Sequence, residues 1–193
     1  SGYLQQSPEF LSLMLSDKDM HDRMKKGWRG GLGDGTVCGA GSTIVNSKNA
    51  IEWLPKICEK YGIKSVCDAG AGDLHWIGLV EWDVDYKAFD LLPRKPEVTK
   101  IDISTENLPE CDMVLCRMVL NHLVSESGDW TRALMAIERF KKSSQYLVAT
   151  NFRMGADKNR HFVRLNLIDY LGEPLETIRD GNDQNCELSL WKL

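Results

Sequence analysis

Apolar and polar positions alternate along this chain in blocks that predict helices and strands in turn. Phe10, Leu11, Met14 and Leu15 recur at helical spacing, and Met20 and Met24 continue it, so residues 1–26 read as an amphipathic lead-in. From Asn46 to Tyr61 an apolar stripe at Ile51, Leu54, Ile57, Cys58 and Tyr61 predicts a second helix. Asn46 or Ser47 would be its N-cap, Pro55 a kink or the start of a new segment, and Gly62 its C-terminal glycine. Strand-like runs follow at residues 64–69, Val84–Asp90, Val98–Ile103, Cys111–Cys116 and Gln145–Asn151. The run at Cys111–Cys116 is nearly all apolar, as suits a central strand covered on both faces. Between the last two of these strands, Trp130, Leu134, Ile137 and Phe140 mark one face of a helix over Asp129–Lys142. Leu175–Ile178 and Glu187–Trp191 suggest a closing antiparallel pair. Strands alternating with helices predict an α/β fold: a Rossmann-like, doubly wound, seven-stranded and mostly parallel sheet with an antiparallel last strand pair.

The 193 residues suit one domain, with residues 1–43 as an N-terminal helix and glycine-rich lid and 44–193 as the catalytic part. A net charge of −4 argues against general binding to nucleic acid or an anionic membrane surface, and no apolar run reaches the roughly 20 residues of a membrane span. The start, SGYLQQ, shows no basic-then-apolar signal pattern. Six cysteines lack any C-x-x-C spacing, and the four histidines form no i, i+4 pair. Buried, reduced cysteines in a cytoplasmic protein without a structural metal are therefore expected. Seven glycines crowd Gly27–Ser42 around Trp28 and Arg29. That stretch is either a linker or a loop that orders over a ligand.

The chemistry concentrates at Ile63–Asp73, IKSVCDAGAGD, a strand that ends at Asp68 and enters a turn with Gly70 and Gly72. In open α/β sheets such an edge binds nucleotide-like cofactors, and the missing side chains let backbone approach a ligand. Asp90 and Asp102 stand at or near the ends of the next two strands. Asp68 and Asp90 are 22 positions apart, close to the roughly 20 expected between a glycine fingerprint and a ribose-binding acid. Each acid could instead cap a turn. A dinucleotide fingerprint needs a third glycine where this chain has His75, and the Asp73 carboxylate would repel a pyrophosphate but accept from an ammonium group. A cofactor carrying a ribose and a cationic amino-acid end is favoured.

At these residues the sequence resembles the class I S-adenosylmethionine-dependent methyltransferases, and within them a small bacterial and phage-type subgroup. Asp68–Asp73 resembles their first motif, Asp90 the acid closing their second strand, and CDMVLCRMVLNHL (111–123) their fourth-strand motif. Gly41-Ser42-Thr43, Trp53-Leu54-Pro55, the turn from Gly72 to Trp76 and the strand Leu188–Trp191 extend the likeness over residues 27–193. The resemblance implies S-adenosylmethionine as cofactor. It implies Gly70 and Gly72 under the amino-acid end, Asp90 on the ribose, Leu91 against the adenine, and Asp102 and Ile103 at the adenine amino group and ring. Asp68, Asp73, Arg117, Trp28, Ser42 and Thr43 join the expected cofactor-binding set. Two departures stand out: Leu74 replaces the usual third glycine, and Met118 stands where an Asp often follows Arg117.

Methyl transfer to oxygen or nitrogen needs alignment and removal of a proton, for which histidine suits neutral pH. His122, six residues beyond the fourth strand, His75 beside the glycine turn and His161 are the candidates. Arg153, Lys158, Arg160 and Arg164 surround His161 and suggest a clamp for an anionic acceptor, with Arg23, Lys25, Lys26 and Arg29 as a second basic group. The expected acceptor is a small polar molecule, possible forms being a sugar, a glycan or a phosphorylated metabolite. A nicotinamide-dependent reductase on the same fold, or a cofactor-binding module without chemistry, are the alternatives. A nucleic-acid methyltransferase is disfavoured by the acidic charge balance.

Overall fold

The computed structural model describes residues 34–124, 129–153, 158–159, 162–181 and 183–193. The amphipathic lead-in, with Trp28 and the basic residues Arg23, Lys25, Lys26 and Arg29, lies outside the described residues, as do Arg160 and His161.

The first helix, α1, spans Ile44–Tyr61. Its start differs from expectation. Thr43, not Asn46 or Ser47, is the N-cap, with its Oγ1 accepting from the Asn46 N–H at 3.4 Å. Asp34 helps from upstream, taking the Ile44 N–H on Oδ2 at 2.6 Å. Pro55 lies inside this single 18-residue helix and starts no second one. Ala50, Trp53, Leu54, Ile57 and Cys58 are buried on both sides of it, and that packing outweighs the roughly 3 kcal/mol that an interior proline costs. Gly62 ends the helix in the left-handed conformation (φ 67°), as expected.

The sheet is built from β1 (Ser65–Ala69), β2 (Asp85–Asp90), β3 (Val98–Lys100), β4 (Cys111–Cys116), β5 (Ser144–Phe152), β8 (Glu176–Arg179) and β9 (Cys186–Lys192). A separate hairpin of two-residue strands, β6 (Lys158–Asn159) and β7 (Phe162–Val163), follows β5. Strand order in the seven-stranded sheet is β3-β2-β1-β4-β5-β9-β8. The pairs among β1 to β5 are parallel, while β9 runs antiparallel to both β5 and β8. The expected seven-stranded, mostly parallel sheet with an antiparallel closing pair is the one observed.

The two-residue period of the strands divides the core. Val66, Met113, Leu115, Val148, Leu188 and Leu190 face α1. Cys67, Val114, Cys116, Leu147, Ala149 and Trp191 face the other way, against Ala133, Ala136, Ile137 and Phe140 of helix α2 (Thr131–Ser143). A one-turn helix, α3 (Ile168–Leu171), and the bond from Trp191 Nε1 to the Gly172 carbonyl (2.9 Å) close that side.

Two connections are leaner than expected. The third strand stops at Lys100, because Asp102 turns the chain: its backbone carbonyl accepts from Thr105 and Glu106. After the glycine turn no α-helix starts. Leu74 takes a positive φ of 59°, and only a single 3-10 turn, Ile77–Leu79, leads toward β2. Among the described residues no helix is long and apolar enough to cross a membrane.

The chain adds β2 and β3 on one side of β1, then returns through β4 on the other. The connections leaving β1 and β4 therefore diverge at the carboxyl edge, the switch point where doubly wound sheets hold ligands.

Candidate functional site

A cavity of about 280 Å³ opens at that edge, and the strand ends and the glycine turn supply much of its wall: Asp68 from β1, the turn residues Gly70 to Asp73, Asp90 and Leu91 from β2, Ile101 to Ile103 after β3, and Arg117 to Val119 after β4. The stretch Cys38–Ser42, ahead of α1, forms another side, and His122, Leu123 and Arg132 complete it. The glycine-rich lead thus contributes wall residues in its described part.

The glycine turn has a packing role of its own. Gly70 (φ 104°) and Gly72 (φ 62°) line the cavity, yet the space their missing side chains leave is filled by the chain itself. A Cβ at Gly70 would lie 2.2 Å from Val119 Cγ2, and one at Gly72 2.8 Å from Cys38 Sγ. The two glycines therefore let the segment after β4 and the lead loop close on the turn. The Gly70 and Ala71 N–H groups donate to the Phe89 carbonyl, and the Gly72 N–H donates to Asp90 Oδ2 at 2.9 Å.

Asp90 also accepts the Leu92 N–H on Oδ1, at 2.8 Å. Each oxygen thus retains acceptor capacity toward the cavity. Burial raises its proton affinity, opposed by the N–H groups of Leu92 and Gly72. Asp68 is more deeply set, 3% exposed, with the Tyr86 hydroxyl on Oδ2 at 2.6 Å. Burial lifts its pKa to about 7, with the Asp90 charge adding and the Tyr86 bond and Arg117 opposing. Asp73 points its acceptors at the lead loop: Oδ2 takes the Thr36 hydroxyl and the Val37 N–H, both at 2.8 Å, and Oδ1 the His75 N–H. Burial acts against its ionisation, but these bonds prevail and hold its pKa below the usual value.

Asp102 caps its turn, as the plainer reading of that residue had it, and lines the cavity as well. Its Oδ1 accepts the Ser104 N–H (2.9 Å) and hydroxyl (2.6 Å), and Oδ2 lies 3.3 Å from Arg132 Nη2. Arg117 is buried and fully engaged: Nε and Nη2 grip Asp180, Nη1 donates to the Gly41 carbonyl and Nη2 to that of Asn46. Its guanidinium stacks on Trp76 at 4.8 Å. Met118, at the departure from the usual Asp, has a positive φ of 58° and gives its N–H to Thr150 Oγ1.

Of the three histidines, His122 is on the wall. His75, expected to face the same cleft, is not on it. Its Nε2 is 3.4 Å from Asp34 Oδ1, an ion-pair distance without hydrogen-bond alignment, and its ring packs beside Gly35. His161 and Trp28 lie outside the described residues. Ser42 lines the cavity, whereas Thr43 spends its hydroxyl on capping α1 and on the Ala40 carbonyl. Of the expected anionic clamp, Arg153 is held by Glu187 at 2.9 Å and Arg164 by Asp183 at 2.7 Å, while Arg160 lies outside the described residues. Sequence reasoning missed Cys38, Arg132 and Asp180. Cys38 lies in the glycine-rich lead, whose composition is its only signal, while Arg132 and Asp180 carry no local signal because each reaches the site by a long-range contact.

A nucleotide cofactor of the dinucleotide type fits poorly, since no α-helix N-terminus follows the glycines to hold a pyrophosphate. An adenosyl group with a cationic amino-acid end fits well: a diol acceptor at Asp90, an apolar slot of Leu91, Ile101, Ile103 and Leu123, and further carboxylates at Asp68 and Asp73.

No family model and no curated protein matches this sequence. Solved structures do. The N-methyltransferase NodS from Bradyrhizobium japonicum WM9, in complex with S-adenosyl-L-homocysteine, superposes with a TM-score of 0.60 at 14% identity over 78% of this chain and 89% of its own. The 1,6-didemethyltoxoflavin-N1-methyltransferase of Burkholderia thailandensis gives 0.61 at 13% identity, over 96% and 90%. The sugar N-methyltransferase KedS8 from Streptoalloteichus sp ATCC 53650 gives 0.53 at 14%, over 79% and 90%. The chain has the fold of the class I S-adenosylmethionine-dependent methyltransferases.

The buried Asp68 makes a stability prediction. Its folded pKa of about 7 lies above the ordinary 3.8, so the native state holds a proton that the unfolded chain releases between those values. Stability from this group therefore falls as pH rises through that window. Asp68→Asn, measured without ligand, should raise the thermal midpoint by about 2–4 °C at pH 8, the size of an effect of about 1 kcal/mol in a chain of this length. At pH 5 the gain should be much smaller, and equal shifts at both pH values would contradict the assignment.

Proposed function

We propose that this protein is an S-adenosylmethionine-dependent methyltransferase that acts on a nitrogen atom of a small polar acceptor, with an amino sugar as one suitable class. The observation that carries the reading is the cavity at the switch point, where Asp90 and the Leu91–Ile103 slot sit beside the glycine turn. Asp90 would hold the ribose hydroxyls, Leu91 and Ile103 the faces of the adenine, and Asp102 its amino group. The turn Gly70–Gly72, with Asp68 and Asp73, would meet the cationic amino-acid end. S-adenosylmethionine, when bound, supplies a methyl carbon made electrophilic by its sulfonium.

The chain's own residues then have two tasks. Wall residues hold the acceptor in line, which turns a bimolecular step into an oriented one. His122 receives the proton that the acceptor nitrogen gives up. Four carboxylates on the wall (Asp68, Asp73, Asp90 and Asp102), with Arg117 already neutralised by Asp180, favour an acceptor bearing an amine over one bearing a phosphate. The N-methyltransferase neighbours agree with that preference. Arg153 and Arg164, two of the cations that suggested an anionic acceptor, are each paired with an acid.

Calorimetric titration with S-adenosylmethionine, S-adenosylhomocysteine and NADH tests the cofactor. Micromolar binding of the first two and none of the third is expected, and binding of NADH alone would overturn the reading. Asp90→Ala should weaken S-adenosylhomocysteine by about 1–3 kcal/mol, the cost of losing hydrogen bonds to a charged group. His122→Ala should leave that affinity within a factor of about 2 and slow turnover by about 100-fold or more once an acceptor is found. Full activity of the variant would remove His122 as the base.

A further inference from the structure

The apolar slot of the cavity ends in a polar cluster that reaches back to α2. Ser104, fully buried, lies between Asp102 and Arg132. Its hydroxyl donates to Asp102 Oδ1 at 2.6 Å and accepts from Arg132 Nη2 at 2.9 Å and Nε at 3.2 Å. Arg132 Nη2 also stands 3.3 Å from Asp102 Oδ2. From the next turns of the same helix, Arg139 Nε donates to the Ser104 carbonyl at 3.1 Å. The Asp102 carboxylate is thus fixed on one oxygen by Ser104 and braced on the other by a single long contact.

That asymmetry defines what the slot can read. Oδ1 already accepts two strong bonds, whereas Oδ2 has only the long Arg132 contact and keeps capacity for a donor. The cavity wall near it includes the apolar residues Leu91, Ile101, Ile103 and Leu123. A planar base whose edge carries an N–H₂ donor satisfies such a site, and one whose edge carries a carbonyl oxygen leaves acceptor facing acceptor. The arginine is one step removed: its guanidinium sets where Oδ2 points, directly and through Ser104.

We propose that Arg132 is a positioning residue that sets the preference of this site for a 6-amino over a 6-oxo purine, by holding Asp102 Oδ2 as the acceptor for the exocyclic amine. The inference rests on the proposed adenosyl-binding reading and adds to it the origin of base selectivity. Arg132 sits on α2, 30 positions from Asp102 and far from both the glycine turn and Asp90 in sequence. Its removal therefore loosens the base end without touching the ribose or amino-acid end.

The test is a pair of titrations, S-adenosylhomocysteine against S-inosylhomocysteine, on wild type, Arg132→Met and Ser104→Ala. Wild type should prefer the adenosine compound by about tenfold or more, the scale of an unpaired buried polar group. Arg132→Met should cut that ratio to about threefold or less, while affinity for the inosine compound stays within about threefold of wild type. Ser104→Ala, which keeps the charge but removes the hydroxyl link, should move the ratio in the same direction. A merely structural loss would weaken both ligands alike and leave the ratio unchanged, and that result overturns the inference. A wild type that binds both compounds equally overturns it too, with the adenosyl reading intact. A wild type that binds neither compound overturns both.

Discussion

The site depends on one buried ion pair. The Arg117 and Asp180 side chains are 4% and 1% exposed, and a charge at such depth is tolerated only when its partner and its remaining donors are satisfied. Arg117 meets that demand with segments far apart in sequence: Asp180 between β8 and β9, the Gly41 carbonyl in the turn before α1, the Asn46 carbonyl in its first turn, and the ring of Trp76 after the glycine turn. These contacts converge on the carboxyl end of β4. Removing one partner would leave the other charge buried and unpaired, at a cost of roughly 3–5 kcal/mol, so the wall segments are held to the sheet as a unit. Arg117, one of the residues expected in the cofactor-binding set, lines the cavity and also holds its wall together.

With the wall fixed, the electrostatics of the cavity follow. Asp68 and Asp90 stand at the ends of neighbouring parallel strands, and the Asp90 charge raises the cost of ionising Asp68 only as a secondary effect behind burial. Asp73 is drawn the other way by the lead loop, whose Thr36 and Val37 donate to it. The result is a wall rich in carboxylates whose accessible guanidinium charge is already answered. Such a wall attracts cationic groups.

Much of this fold is legible in the chain because local and global signals agree. Val66, Cys67, Met113, Val114, Leu115 and Cys116 are apolar on both faces, as central parallel strands must be, and Asp68 and Asp90 close their strands where chemistry is expected. The discrepancies have physical causes. Thr43, Asn46 and Ser47 are all cap-type residues, and the Thr43 hydroxyl on the Asn46 N–H, with the Asp34 carboxylate on the Ile44 N–H, shows where α1 begins. Pro55 is tolerated because packing on either side of it overrides local propensity. Leu74 takes a backbone conformation that favours glycine, and a single 3-10 turn follows the glycine turn. At Gly70 and Gly72 the spacing reveals that room is needed, and the structure adds that Val119 and Cys38 pack against the two positions. Asp180 and Arg132 carry no local motif. Asp180 acts across 63 positions, and Arg132 acts across 28.

The central claim is that the switch-point cavity, walled by the turn before α1 and the ends of β1, β2 and β3, receives an adenosyl cofactor. Amide hydrogen exchange with and without saturating S-adenosylhomocysteine addresses it most directly. The account predicts slowed exchange at residues 38–42, 70–73, 91–92 and 101–104, with no change at Ser65, Asp112 and Ser144 on the opposite edge of the sheet. Protection confined to that opposite edge, or binding that leaves the glycine turn and the Asp102 turn unchanged, would contradict it.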